Sequence, residues 1–236
     1  MGSSETPDNL KVLMERRQAC RVCCDLDPDR IKNGSEFDFD PPVVSYWSQW
    51  LGNPEPTILI VGQDFGSIEY FTRFRGKDEP NNQTNTNLRQ LLREAGVHVA
   101  TPPLFDPDAQ VFLTNAILCL KAGNMDASIK EGWVRNCAAL HLTPLIEILE
   151  PAIIVGMGNS GWLAVRTALQ MRDVPSQIGQ AAGRMWTLPS QMKVFAIGHC
   201  GPKGRINRPW AMQVLDWQKI GTALKGLSGD PSTVAN

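Results

Sequence analysis

Thr57-Ile58-Leu59-Ile60-Val61-Gly62-Gln63-Asp64-Phe65-Gly66 decides how the chain is read. An apolar run rich in β-branched residues passes straight into Gly-Gln-Asp-Phe-Gly. With no polar residue alternating through it, such a run is the pattern of a strand covered on both faces. Open α/β sheets bind ligands beyond the carboxyl ends of their strands, so Asp64 is the first residue expected to carry chemistry.

Working outward, three further runs end in the same way. Residues 111–114 end at Asn115, residues 152–155 at Gly156-Met157-Gly158, and Lys193–Ile197 at Gly198-His199-Cys200. Helical spacing fills the intervals. Leu88, Leu91 and Leu92 mark a helix over 87–95, with Gly96 as its stop. Residues 127–149 carry Val134, Cys137, Leu140, Leu145 and Ile148, and Pro144 should kink or divide that helix. A helix capped at Asn159 or Ser160 runs to Met171, and another over 208–224 carries Trp210, Val214, Trp217 and Ile220. Alternating strands and helices predict an α/β fold: a three-layer α/β/α sandwich around a central four-stranded, mainly parallel sheet. A short helix is expected at 9–18 after a frayed terminus. Residues 25–56 should form an irregular layer with a short helix at 45–51, and 101–107 a proline-rich connection. Residues 1–225 read as a single domain, with an N-terminal cysteine-containing layer (9–56) on an α/β core (57–225), and 226–236 as a disordered tail.

Bulk properties narrow the function. At 236 residues with a formal net charge of −1, binding to nucleic acid needs a local basic patch, because global attraction is absent. No window reaches the apolar length a bilayer demands. The first residues have no basic n-region or apolar h-region, so no signal peptide, no membrane partner and a cytoplasmic location are expected. No dimer surface is evident, so a monomer is expected.

Asp64, Asn115 and His199 stand at equivalent positions, and in a parallel sheet these strand ends converge on one crevice. A single Asp or Asn there is often only a turn residue; the case rests on the three together. They resemble the uracil-DNA glycosylase superfamily, one branch of which carries Gly-Gln-Asp-Pro-Tyr-His after its first strand. Here Gly62-Gln63-Asp64 matches that start, Thr114-Asn115-Ala116 is similar to the strand-end Asn that reads uracil, and Gly198-His199 sits where the second motif, usually His-Pro-Ser, is found. The resemblance spans roughly 20–220. It departs at Phe65, in place of Pro, and at Gly66, where the thymine-excluding Tyr would fall. After His199 the chain reads Cys-Gly.

The resemblance implies a DNA repair glycosylase that flips uracil out of DNA and hydrolyses its N-glycosidic bond, leaving an abasic site. Asp64 would stabilise the cationic sugar and orient water, and His199 would donate to uracil O2. Gly62, Gln63, Phe65 and Asn115 would bind the base. Phe74 is expected to stack on it, with Phe71 and Phe65 as alternatives. The run 201–208 places Lys203, Arg205 and Arg208 for phosphate contact, with Arg205 or Ile206 as a wedge and Arg73, Arg75 and Lys77 extending the patch. The alternative is a uracil-DNA or abasic-DNA binding protein of the same fold without turnover. A nucleotide-binding protein using Gly156-Met157-Gly158 is disfavoured, because G-x-G-x-x-G is absent.

Six cysteines are present, and Cys20 and Cys23 have a common metal-ligand spacing. The resemblance to the iron–sulfur branch implies a structural [4Fe–4S] cluster on Cys20, Cys23, Cys119 and Cys137. By residue count, zinc on the four thiolates fits as well, and Cys24 is within reach as an alternative to Cys23. Cys200 is expected to be unligated.

Overall fold

The computed structural model describes residues 5–37, 55–75, 79, 81–99 and 110–227. In chain order the elements are α1 (Glu5–Ala19), α2 (Val22–Leu26), β1 (Ile31–Lys32), β2 (Ile58–Gly62), α3 (Ile68–Phe74), α4 (Gln83–Glu94), β3 (Val111–Asn115), β4 (Leu120–Lys121), α5 (Glu131–Cys137), α6 (Thr143–Leu149), β5 (Ile153–Met157), α7 (Gly158–Ala168), α8 (Ile178–Ala181), β6 (Arg184–Thr187), β7 (Lys193–Ile197), α9 (Pro202–Asn207) and α10 (Trp210–Leu227).

The four apolar runs become four parallel strands in the order β3-β2-β5-β7. Every residue of β2, β3 and β5 is buried, as unbroken apolar runs require. Successive side chains point to opposite faces and feed two cores. Leu59, Val61, Phe112 and Ile154 join Leu13 of α1, Val134 of α5, Leu145 of α6 and Trp162 of α7. Ile58, Ile60, Val111, Leu113 and Val155 join Leu88 and Leu91 of α4 and Trp217 and Ile220 of α10. Each such side chain contributes about 1.5–3 kcal/mol on burial, so the layer order follows from the strand alternation.

A fifth strand extends the expected sheet: β6 pairs antiparallel with the outer edge of β7. Its residues are mostly exposed, so it has no apolar run that would mark it in the sequence. A second, two-stranded ribbon joins β1 to β4. The first helix begins at Glu5 rather than 9, and the Gly/Pro-rich run after His199 forms a helix, α9, with Pro202 at its first turn. Between α5 and α6 the backbone widens into a π-helical stretch at Ala138–Leu142. Pro144 lacks an N–H and its ring crowds the carbonyl four residues back, so the widening lets one long helix continue past it. The short helix at 45–51, the connection at 101–107 and most of the 226–236 tail lie outside the described residues. No helix among the described residues is long and apolar enough to cross a membrane.

The chain leaves β2 toward β3 on one side and later returns to β5 on the other side of β2. That reversal opens a crevice at the carboxyl ends of these strands. The register sets Gly62 directly beside Asn115.

Candidate active site

The crevice is a cleft of about 600 Å³, and Gly62, Gln63, Asp64, Phe65, Asn115 and His199 all line it. Three strand ends supply its polar groups because the parallel register stops them at one edge.

Asn115 is 6% exposed, and its Nδ2 has no hydrogen-bond partner. A buried amide left unpaired costs about 1–3 kcal/mol, which a ligand offering an acceptor recovers. The amide lies over Gly62: a Cβ at that position would stand 2.5 Å from Asn115 Oδ1. Glycine leaves the amide room in this position and any Cβ would displace it, which gives the first residue of Gly62-Gln63-Asp64 a steric reason.

Burial pushes the His199 pKa below its usual value, against a smaller upward pull from Asp64. The Gly201 N–H donates to His199 Nδ1 at 3.0 Å. An accepting Nδ1 requires the neutral ring with its proton on Nε2. His199 is therefore a neutral donor through Nε2–H.

Asp64 is held on three sides. Lys121 Nζ donates to Oδ2 at 2.8 Å, Gln63 Nε2 donates to Oδ2 at 3.2 Å, and the Gly66 N–H donates to Oδ1 at 2.8 Å. The Asp64–Lys121 ion pair is nearly sealed, with side-chain exposures of 6% and 1%. The sequence reading missed Lys121. Its one signal was a lone lysine directly after the apolar run Leu118-Cys119-Leu120, where a buried ammonium needs a partner.

The aromatic assignment changes. Phe74 is not among the cleft's lining residues; its ring packs on Tyr70 at 4.9 Å and lies under the Arg73 guanidinium at 5.2 Å. Helix α3, unforeseen over this stretch, sets Tyr70 against the cleft and carries Phe74 one turn farther along the same face, past the lining, and buried Phe71 belongs to the core. Among the described residues, Phe65 and Tyr70 are the aromatic ones that line the cleft. Phe65 is backed by Phe71, with ring centroids 6.5 Å apart. Gly66 has φ +94, and a Cβ there would meet Met125 Sδ at 2.9 Å and the Tyr70 ring at 3.2 Å. Met125 and Tyr70 thus occupy the space beside Gly66.

The basic residues separate as well. Lys203 lines the cleft mouth and pairs with Asp126 at 2.8 Å, both well exposed. Arg205 lies 4.9 Å over the Trp210 ring. Arg208, expected to contact phosphate, lines the cleft and is also tied to the fold: its Nε and Nη2 grip both oxygens of buried Asp216, which raises the Arg208 pKa. Ile206 is 80% exposed on α9. Lys77 lies outside the described residues.

On the far side of the N-terminal layer, Cys20, Cys23, Cys119 and Cys137 line one small cavity of about 10 Å³, and Cys24 does not. As placed, no group of three or more His, Cys, Asp or Glu among the described residues is arranged to hold a metal ion. The donor chemistry nonetheless fits a thiolate-bound group. Burial pushes the Cys137 thiol up to about 12 and raises Cys23, and the Cys24 hydrogen bond and burial raise Cys119 well above its usual value. Sulfurs that repel one another's negative charge are relieved by a shared cation. Cys200, in the opposite core, contacts Met157 instead.

Residues 49–215 match the family model described as the uracil DNA glycosylase superfamily. No curated protein gives a significant match to the chain.

Proposed function

The chain belongs to the uracil DNA glycosylase superfamily, a family of DNA glycosylases, and from that premise we propose that it flips uracil out of DNA and hydrolyses the N-glycosidic bond. The observation that carries this reading is the unpaired Asn115 amide facing a cleft that also holds a neutral histidine donor and a carboxylate.

Asn115 Nδ2 donates to uracil O4, and Oδ1 accepts from N3–H. Cytosine presents the reverse pattern, and the mismatch would leave buried polar groups unpaired, a penalty that discriminates strongly. Phe65 supplies an apolar wall for the ring. As the C1′–N1 bond breaks, positive charge builds on the sugar and negative charge on the base. His199 Nε2–H donates to uracil O2 and steadies the departing anion. Asp64 steadies the sugar cation and orients a water, whose oxygen bonds to C1′ while its proton passes to the carboxylate. Uracil leaves as the anion and is protonated from solvent. Lys203 at the cleft mouth contacts phosphate.

We also propose that the thiols of Cys20, Cys23, Cys119 and Cys137 hold a structural [4Fe–4S] cluster, which ties α1 and α2 to the core. A tetrahedral zinc ion on the same four thiolates is the alternative. Iron, sulfide and zinc analysis of purified protein decides between them.

A second reading is a protein that captures uracil-DNA or abasic DNA without turnover, and the ion pair engaging Asp64 Oδ2 favours it. Release of free uracil from a uracil-containing oligonucleotide separates the two. The glycosylase reading expects release by the wild type and a loss of roughly 10²–10⁴-fold in Asp64→Asn. A retained complex with no free uracil overturns it. The same substitution strands the Lys121 ammonium, so a stability loss of about 3 kcal/mol should accompany it.

A further inference from the structure

We propose that Lys121 is the positioning residue of this site, and that it selects Oδ1 of Asp64 as the oxygen that addresses the substrate. The kinetic part of this proposal rests on the excision reading above. An ionised carboxylate accepts about four hydrogen bonds, two per oxygen. Oδ2 is filled by Lys121 Nζ at 2.8 Å and Gln63 Nε2 at 3.2 Å, whereas among the described residues Oδ1 receives only the Gly66 N–H at 2.8 Å. The remaining acceptor site is therefore on Oδ1, and it is the one available to a water.

Lys121 is suited to hold this arrangement because it is itself fixed. Its backbone pairs with Ile31 in the β1–β4 ribbon and bridges to Ser67, three residues after Asp64. Its Nζ also donates to the Met125 carbonyl at 2.7 Å. One ammonium thus joins the carboxylate, the segment that places Met125 beside Gly66, and the ribbon of the N-terminal layer. Lys121 is 1% exposed and is not among the residues that line the cleft, so it acts through Asp64 and not on the substrate.

The test uses Lys121→Met, which keeps the length of the side chain and removes its charge, with Lys121→Gln as the second variant if the first does not fold. On a single-stranded uracil oligonucleotide, Lys121→Met should lower kcat by about 10²-fold, the order expected when a reacting group is misplaced by an ångström, and leave KM unchanged. In an Asp64→Asn background the same change should cost no further activity, because the residue it acts through is already lost. Lys121→Arg, which keeps the charge, should recover part of kcat. Equal losses in both backgrounds, or a raised KM with unchanged kcat, would overturn the proposal and leave Lys121 a structural residue. A crystal structure of Lys121→Met provides a readout without turnover. A carboxylate rotated away from its wild-type position supports the proposal; one that keeps the same oxygens in the same places sinks it. A wild type that releases no uracil would sink the excision reading alone, and the crystal structure would still decide this one.

Discussion

The cleft at the strand ends and the cavity among the cysteines bury similar amounts of chemistry and use it in opposite ways. The cleft encloses about 600 Å³, and its groups have hydrogen-bonding capacity to spare: the unpaired Asn115 Nδ2, the Nε2–H of His199 and an acceptor site on Asp64 Oδ1. The cysteine cavity encloses about 10 Å³, room for about one water, and burial helps hold its Cys119 and Cys137 thiols above their usual pKa. Burial acts in both places. It lowers the pKa of a histidine and thereby prepares a neutral donor, and it raises that of a thiol and thereby keeps it protonated until a cation displaces the proton. The first region has groups ready for a guest from outside, and the second is where the proposed resident metal group would sit.

That contrast can be broken or sharpened experimentally, and after Asp64→Asn the largest effect is expected at His199. His199→Asn should lower kcat for uracil release by roughly 10²–10³-fold, the usual cost of losing one donor to a developing anion. Wild-type kcat should hold as pH falls to about 6.5 and decline only below it. The folded pKa of His199 lies below the unfolded value, so the unfolded chain binds the extra proton between them. Stability from this site is present above about pH 6.5 and is lost as pH falls through the folded pKa. Denaturant titrations across pH 5–7 should show the slope, and His199→Asn should flatten it. A wild-type profile that gains activity on acidification would mean that the imidazolium is the working form.

Next in size is Gly62→Ala. The new Cβ meets Asn115 Oδ1 at 2.5 Å, so the amide must move, and a displacement of that order should cost about 10²-fold in kcat/KM. Unchanged kinetics would show that the Asn115 amide does not read the base. In the other region, Cys137→Ala should abolish the bound metal and lower thermal stability, while the protein that remains folded excises uracil at the wild-type rate. Full metal content in that variant would remove Cys137 from the ligand set.

The smallest effects distinguish the two basic residues at the cleft. Arg208→Ala leaves Asp216 buried and unpaired and should cost about 3 kcal/mol in urea unfolding. Lys203→Ala should leave stability unchanged and reduce the salt slope of DNA binding by about 1, the signature of one lost phosphate contact. The opposite assignment of these two outcomes would return Arg208 to the DNA-binding surface.

Much of this architecture was written in local pattern. The runs at β2, β3, β5 and β7 are mostly apolar, and three of them lead directly into the polar residues of the cleft, Asp64, Asn115 and His199. Parallel register then brings those ends together without any further instruction. Strand β6 was hidden because an exposed edge strand needs no apolar run, and α9 because a Gly/Pro-rich octapeptide reads as a loop even when its proline opens a helix.

The sequence alone determined the strand ends, the residues on them and the spacing of Cys20 and Cys23, because period and punctuation are properties of neighbours in the chain. Only the tertiary structure decided who holds whom. Lys121 finds Asp64 across 57 positions. Arg208, at the cleft, pairs with Asp216 only 8 positions away because folding seals that carboxylate and it needs a partner. Phe74 yields the cleft to Phe65 and Tyr70 because α3 carries it one turn beyond Tyr70, past the cleft lining. Charge pairs and ring orientations depend on distances between elements, and no local pattern of residues carries those distances.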